Sequence, residues 1–252
     1  MGASAEHKEL RIPGRFKIFV VNLASESARR EQITRNLLAL GLEFDFFEAV
    51  NGAELSDYDL RHYSSEGTIS YIGRDLTSSE IGCALSHLYV YSKIIEERLD
   101  YAVILEDDVL LLSRFPEILS KLIVDDNPFE IVNFITDSPE IGTKKFVSRK
   151  HEITDLPFYS NRTTAYFLSS KAALKLLEVG TPIKTSADGL LGEAALHGLK
   201  INGVYPNVAT LYPFESTINR GHYSTDKIVK IRKKRSPKFW RGRWYVLKSC
   251  LR

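Results

Sequence analysis

The sequence predicts an α/β protein built on a parallel sheet, and three observations carry that prediction. Short apolar runs alternate with helix-length stretches over most of the 252 residues. The chain opens on a β-α-β pattern, strand, helix and strand within about 35 residues, which is the length of a crossover unit. Midway, Tyr101 to Leu112 is an apolar run broken once by three consecutive carboxylates, Glu106, Asp107 and Asp108. Five apolar or aromatic residues ahead of the acids are too few for a typical helix and suit a strand covered on both faces. The acids then stand at the strand's carboxyl end, the edge where open α/β sheets bind ligands.

The elements follow in order. Phe16 to Leu23 reads as the first strand, and Ser25 as the cap of a helix through Arg29, Ile33, Leu37 and Leu40 that stops at Gly41. Phe44 to Val50 is the second strand, closed by Asn51-Gly52. Neither G-x-G-x-x-G nor G-x-x-x-x-G-K follows the first strand, which argues against dinucleotide and P-loop folds. Residues 53 to 76 are polar and Tyr-rich and read as a long irregular loop. Thr77 and Glu80 have capping-box spacing before the apolar stretch Ile81 to Ile95, a second long helix carrying Cys83, Ser86 and His87. After the acids, Pro116 starts a short helix to Val124, and Phe129 to Ile135 reads as another strand. Residues 137 to 163 are polar and suit a pocket wall or lid. Thr164 to Leu168 forms a strand, Ser169 or Ser170 caps a helix that Gly180 ends, Asp188 falls in the first turn of a later helix, and Ile201 to Tyr205 resembles a late strand.

Composition limits the function classes. Hydrophobic content of 44% is that of an ordinary globular protein with a sizeable core. No run approaches the roughly 20 apolar residues that cross a bilayer, and the first eleven residues lack a secretory apolar centre, so a cytoplasmic location is expected. Cys83 and Cys250 lie far apart and form no disulfide framework. Net charge is +2, yet Lys227 to Arg252 hold eleven Lys and Arg with no Asp or Glu. Interleaved with Phe239, Trp240, Trp244 and Tyr245, this tail suits an anionic surface such as a membrane or nucleic acid. Three parts are therefore expected: an extension (1–15), an α/β domain (16–220) and a basic aromatic tail (221–252).

Three adjacent carboxylates repel one another unless a cation or solvent relieves them, and an all-oxygen site suits Mg²⁺ or Mn²⁺. The plainer reading is a solvated cap after a strand. Asn22, Arg29 and Arg30 lie at or just past the end of the first strand, where a nucleotide's base or phosphates would meet them; the alternative is a turn residue and a solvated helix face. A lone helical histidine such as His87 is more often packed than ligating. Asp188 at a helix start either compensates the dipole or points to a cleft.

Taken together, Val21-Asn22-Leu23 with Arg29-Arg30, Glu80-Ile81-Gly82-Cys83-Ala84-Leu85-Ser86-His87 and Leu105-Glu106-Asp107-Asp108 resemble, in that order, glycosyltransferase family 25. That family builds bacterial lipopolysaccharide or lipooligosaccharide and includes a β-1,4-galactosyltransferase branch. Thr164 to Ala172 is similar to the family's strand-to-helix segment, and Asp188 falls where Pro-Val-Asp is usual, with Ser186-Ala187 replacing Pro-Val. The resemblance implies a GT-A type nucleotide-sugar-binding fold, a mostly parallel mixed sheet flanked by helices. It implies a D-x-D-like motif in which Glu106 and Asp108 hold Mn²⁺ or Mg²⁺ while Asp107 orients the sugar or another ligand. It implies a UDP-sugar donor, Asn22, Arg29 and Arg30 as nucleotide contacts, Ser86, His87 and Asn133 as pocket lining, and Asp188 as catalytic base. The acceptor it implies is a lipid-linked saccharide, with the tail holding the enzyme at the inner membrane.

Two rivals have distinct signatures. A metal-dependent phosphohydrolase would need a denser set of Asp and His ligands than six scattered histidines supply. A nucleic-acid-binding protein has only the tail in its favour, and without a reading element no specific nucleic acid is expected.

Overall fold

The computed structural model describes residues 15–124, 127–136, 144–146, 151–156 and 162–213. Strand β1 (Phe16–Asn22), helix α1 (Ser27–Ala39) and strand β2 (Asp45–Glu48) form the opening crossover unit, β1 and β2 pairing in parallel. Short helices α2 (Asp57–Leu60) and α3 (Ser65–Ile72) precede the long α4 (Ser78–Glu96). Strand β3 (Tyr101–Glu106) ends on the acidic turn and is followed by β4 (Val109–Leu111), α5 (Phe115–Leu122), β5 (Ile131–Asn133), β6 (Lys144–Phe146) and β7 (Glu152–Asp155). Then come β8 (Ala165–Ser169), α6 (Ser170–Gly180), α7 (Ala187–Gly192), β9 (Ile201–Tyr205) and β10 (Ala209–Leu211).

Among the described residues eight strands make one sheet in the order β2-β1-β3-β8-β5-β9-β7-β6, and β4 pairs with β10 in a small second one. The large sheet is mixed. Strands β2, β1, β3, β5, β9 and β6 run one way, while β8 and β7 run against them. Successive side chains leave a strand on opposite faces. Val20, Val103, Leu105, Val132 and Phe167 therefore pack with residues of α1 and α5, while Phe19, Ile104, Ile131, Tyr166 and Leu168 pack with α4, α6 and α7. The result is helix, sheet and helix in three layers.

This topology gathers the site. The carboxyl ends of β1, β3 and β5 lie along one edge, and β8, being reversed, brings its amino end to the same edge. In β1 against β3, Val21 stands beside Glu106, so Asn22 meets the acidic turn.

Several expectations are corrected. Residues 53 to 76 are no irregular loop: Ser56 caps α2 in a full capping box, Ser64 caps α3, and Gly73 closes α3 at φ 83°. Neither helix carries an apolar stripe, since α2 buries nothing and α3 only Thr68, which is why periodicity missed them. Helix α1 starts at Ser27 without a side-chain cap, so Ser25 does not serve as one. The stretch 137 to 163 contributes β6 and β7, and the strand of residues 129–135 shortens to β5. The capping box at Thr77 and Glu80 is present, as is the Ser169 cap of α6.

Candidate active site

Asp107 is the residue that the neighbouring strand fixes. Its carboxylate accepts from Asn22 Nδ2 at 2.8 Å and from Arg29 Nη1 at 2.9 Å. Arg29 reaches it from the first turns of α1, with its side chain only 7% exposed, and also lies 3.6 Å from Asp108 Oδ2. Burial raises the Asp107 carboxyl in spite of Asn22 and Arg29. This buried pair locks the acidic turn to β1 and α1. Arg29 is thus a counter-ion of the turn, and Asp107 is committed to it. Arg30 is exposed, lies over the Phe46 ring 3.6 Å from its centroid, and approaches Asn22 Oδ1 at 3.4 Å.

Asp108 has no such shelter. Its Oδ1 is buried without a hydrogen-bond partner, and burial, followed by the charge of Glu106, lifts its pKa to about 6. Glu106 turns toward α4 and β8: Oε1 accepts from Thr163 Oγ1 at 2.6 Å and lies 3.5 Å from His87 Nε2. Burial pushes Glu106 up, but His87, Thr163 and Arg29 outweigh it and hold the carboxyl below its ordinary value. The pair therefore offers one firmly ionised carboxylate and one orphaned oxygen two residues on. That donor set fits a hard divalent cation, since an unpaired buried carboxylate is costly unless paired or coordinated.

Asp188, placed in the first turn of α7 by the Ser186 cap, joins the same cluster. Its Oδ1 accepts from the Thr163 backbone N–H and hydroxyl, both at 2.8 Å. The Thr163 hydroxyl has one proton for two carboxylate oxygens, on Glu106 and Asp188, and can satisfy only one at a time. Burial, then Glu106, raises the Asp188 carboxyl. Four carboxyl groups thus meet at one edge, with the Arg29 guanidinium paired to Asp107 and 3.6 Å from Asp108.

The remaining predicted residues divide. His87 is 1% exposed and its Nδ1 is 2.8 Å from Tyr166 Oη, itself 2.9 Å from Tyr91 Oη. Asn133, at the carboxyl end of β5, is 1% exposed with neither amide atom partnered. Ser86 spends its hydroxyl within the protein: it donates to Gly82 O at 2.7 Å and accepts from Val50 N–H at 2.9 Å, joining α4 to the loop after β2. Thr163 and Tyr166 escaped the sequence reading. Thr163 ends a polar stretch with no period, and Tyr166 looks like any strand aromatic. Burial, then the charges of Glu106 and Asp188, push the Cys83 thiol up.

The profile of glycosyltransferase family 25 (LPS biosynthesis protein) matches residues 16–191. Procollagen galactosyltransferase 2 of Mus musculus is 34% identical over 172 residues, 64% of this chain and 27% of that protein. A putative glycosyltransferase of Haemophilus influenzae is 25% identical over 81% of this chain and 75% of its own length. The relatives also include inactive glycosyltransferase 25 family member 3 of Mus musculus, 30% identical over 68% of this chain and 30% of that protein. The chain spans under a third of the length of these animal relatives. A solved Drosophila β-1,4-galactosyltransferase 7 mutant, in complex with manganese, UDP-Gal and xylobiose, aligns over 88% of this chain and 81% of its own at 9% identity and TM-score 0.44. Among the described residues, six of the eight strands of the large sheet run one way and helices cover both faces, the mixed, helix-flanked sheet expected of the family. With the acidic turn, the α4 segment and the Asn22–Arg29 pair gathered at one sheet edge, and the profile spanning well over half its length, the chain belongs to glycosyltransferase family 25.

Proposed function

We propose that this chain is an inverting, metal-dependent hexosyltransferase that moves galactose from UDP-galactose, in β-1,4 linkage, onto a lipooligosaccharide or lipopolysaccharide acceptor. The observation that carries the reading is the orphaned Oδ1 of Asp108 beside the ionised Glu106 at the carboxyl edge of the sheet. Galactose is supported by relatives named procollagen galactosyltransferases, and the acceptor class by the family's description as LPS biosynthesis proteins.

Glu106 and Asp108 would hold Mn²⁺ or Mg²⁺. When bound, such an ion supplies Lewis-acid stabilisation of the charge that grows on the departing diphosphate, worth several kcal/mol. The protein does the rest. Arg30 and Asn133 contact the nucleotide and sugar, while Asn22, Arg29 and Asp107 act as positioning residues that hold the acidic turn. His87 lines the pocket and steadies Glu106. Inversion requires an acceptor hydroxyl to attack from the face opposite the leaving group and to lose its proton there. Asp188 takes that proton: its raised carboxyl is a stronger base than an ordinary aspartate, and Thr163 holds Oδ1 in place.

The test is thermal shift and donor hydrolysis with a panel of nucleotide sugars, with and without Mn²⁺. UDP-galactose should stabilise the chain only with Mn²⁺, and Glu106→Ala and Asp108→Ala should each lose that response. Full activity in EDTA would overturn the metal assignment, and preference for UDP-glucose would move the reading to a glucosyltransferase.

A further inference from the structure

Cys83 and His87 stand four residues apart on α4 and so share one face of the helix, the face turned to the end of β3. Cys83 Sγ, a His87 ring nitrogen and a Glu106 carboxylate oxygen all lie within 4.8 Å of one another. His87 is 1% exposed, and its Nε2 has no hydrogen-bond partner although it is aimed at Glu106 Oε1, 3.5 Å away. Two N or O ligands bound at zinc distances and at the tetrahedral angle are about 3.3 Å apart, so this pair already has the separation of two ligands on one ion. The thiol, within 4.8 Å of both, is the third donor of the cluster. Tyr166 holds the other ring nitrogen at 2.8 Å and is itself bonded to Tyr91, the outer support that fixes a ligating imidazole.

We propose that Cys83, His87 and Glu106 form a second metal site, selective for a borderline-soft divalent ion such as Zn²⁺, that competes with the oxygen-rich site for Glu106. Sulfur, nitrogen and oxygen together prefer Zn²⁺ or Co²⁺ over Mg²⁺ and Mn²⁺, whereas Glu106 with Asp108 offers oxygen alone. The two sites share one carboxylate, so filling the soft site withdraws a ligand from the hard one. Zinc would therefore act as an inhibitor of the manganese-dependent reaction.

The experiment uses the full chain carrying Cys250→Ser, in which Cys83 is the sole thiol, stripped with EDTA and titrated with Co²⁺. One equivalent should produce a near-ultraviolet thiolate-to-cobalt band and visible absorption of four-coordinate intensity, both displaced by Zn²⁺. Cys83→Ser should lose the ultraviolet band, and His87→Gln should weaken Co²⁺ binding at least about 10-fold. The melting transition of each variant reports that it is folded. Cobalt binding with no thiolate band, or the same band in the Cys83→Ser chain, would overturn the site. In the hydrolysis assay Zn²⁺ should inhibit at least about 10-fold more weakly once Cys83 is replaced, and equal inhibition would refute the competition. The optical titration stands apart from the donor reaction: bands without any sugar transfer would preserve this site and sink the function proposed above.

Discussion

Asp108 burdens the metal-free protein. Its folded pKa of about 6 lies above the unfolded value, so the folded chain binds the proton more tightly. The destabilisation is present at pH 7 and fades as pH falls through about 6. The cost comes to about 3 kcal/mol at most. Asp108→Asn should raise the melting temperature of the EDTA-treated chain at pH 7 by several degrees while removing stabilisation by Mn²⁺; a lowered melting point would show that the carboxylate is already satisfied. Arg29 has the opposite character. Arg29→Met leaves Asp107 buried without its guanidinium and should cost about 3–5 kcal/mol in urea denaturation. At the reaction centre, Asp188→Asn should keep donor binding and lower turnover at least ~10²-fold. Thr163→Val removes the hydroxyl between Glu106 and Asp188. It should alter the acid limb of the pH–rate profile as well as the rate, which mere loosening of β8 would not do.

At the level of elements, α4 sets the site because it carries Cys83 and His87 and must sit at a fixed height. Its amino end is fixed twice. Thr77 and Glu80 form the capping box, and Arg74 grips Glu80 with Nη1 at 2.7 Å and Nη2 at 2.5 Å. Burial pushes the Glu80 carboxyl up, but Arg74 and Thr77 outweigh it and hold it down. Its folded value is depressed, so this stability is present above the ordinary carboxylate range and lost as pH falls through that depressed value. Arg74→Met should therefore destabilise the chain more at pH 7 than at pH 3, as read by denaturant midpoints. The second fixture is close packing: a Cβ on Gly82 would come within 2.7 Å of Val50 O and 2.9 Å of Gly52 N, both backbone atoms. In an open helix Gly→Ala gains about 1 kcal/mol; here Gly82→Ala should destabilise instead and displace His87 from Glu106.

Across the whole molecule, the three-layer sheet gives the site its shape and the charge distribution suggests where it works. No helix among the described residues is long and apolar enough to cross a membrane. The basic tail of residues 221–252 lies outside the described residues, and we propose that it brings the enzyme to the anionic cytoplasmic face of the inner membrane, where a lipid-linked acceptor would be met. Each Lys or Arg near such a surface contributes roughly 1 kcal/mol. The full chain should cosediment with anionic liposomes and release with salt, and a chain ending at Asp226 should not; equal binding of the two would reject the role.

What the sequence determined by itself was whatever short-range chemistry encodes. The alternation of strands and helices, the capping box at Thr77 and Glu80 and the carboxyl-edge position of Glu106, Asp107 and Asp108 all follow from period and local hydrogen bonding. Tertiary structure alone decided how the acids divide. Asn22 and Arg29, far away in the chain, claim Asp107 and leave Asp108 with a bare oxygen. Nor does any spacing reveal that reversal of β8 carries Thr163 between Glu106 and Asp188, or that Ser86 spends its hydroxyl on Gly82 and Val50. A carboxylate's role is set by the partners that reach it through space, and those partners come from strand order and helix packing, which no local pattern records.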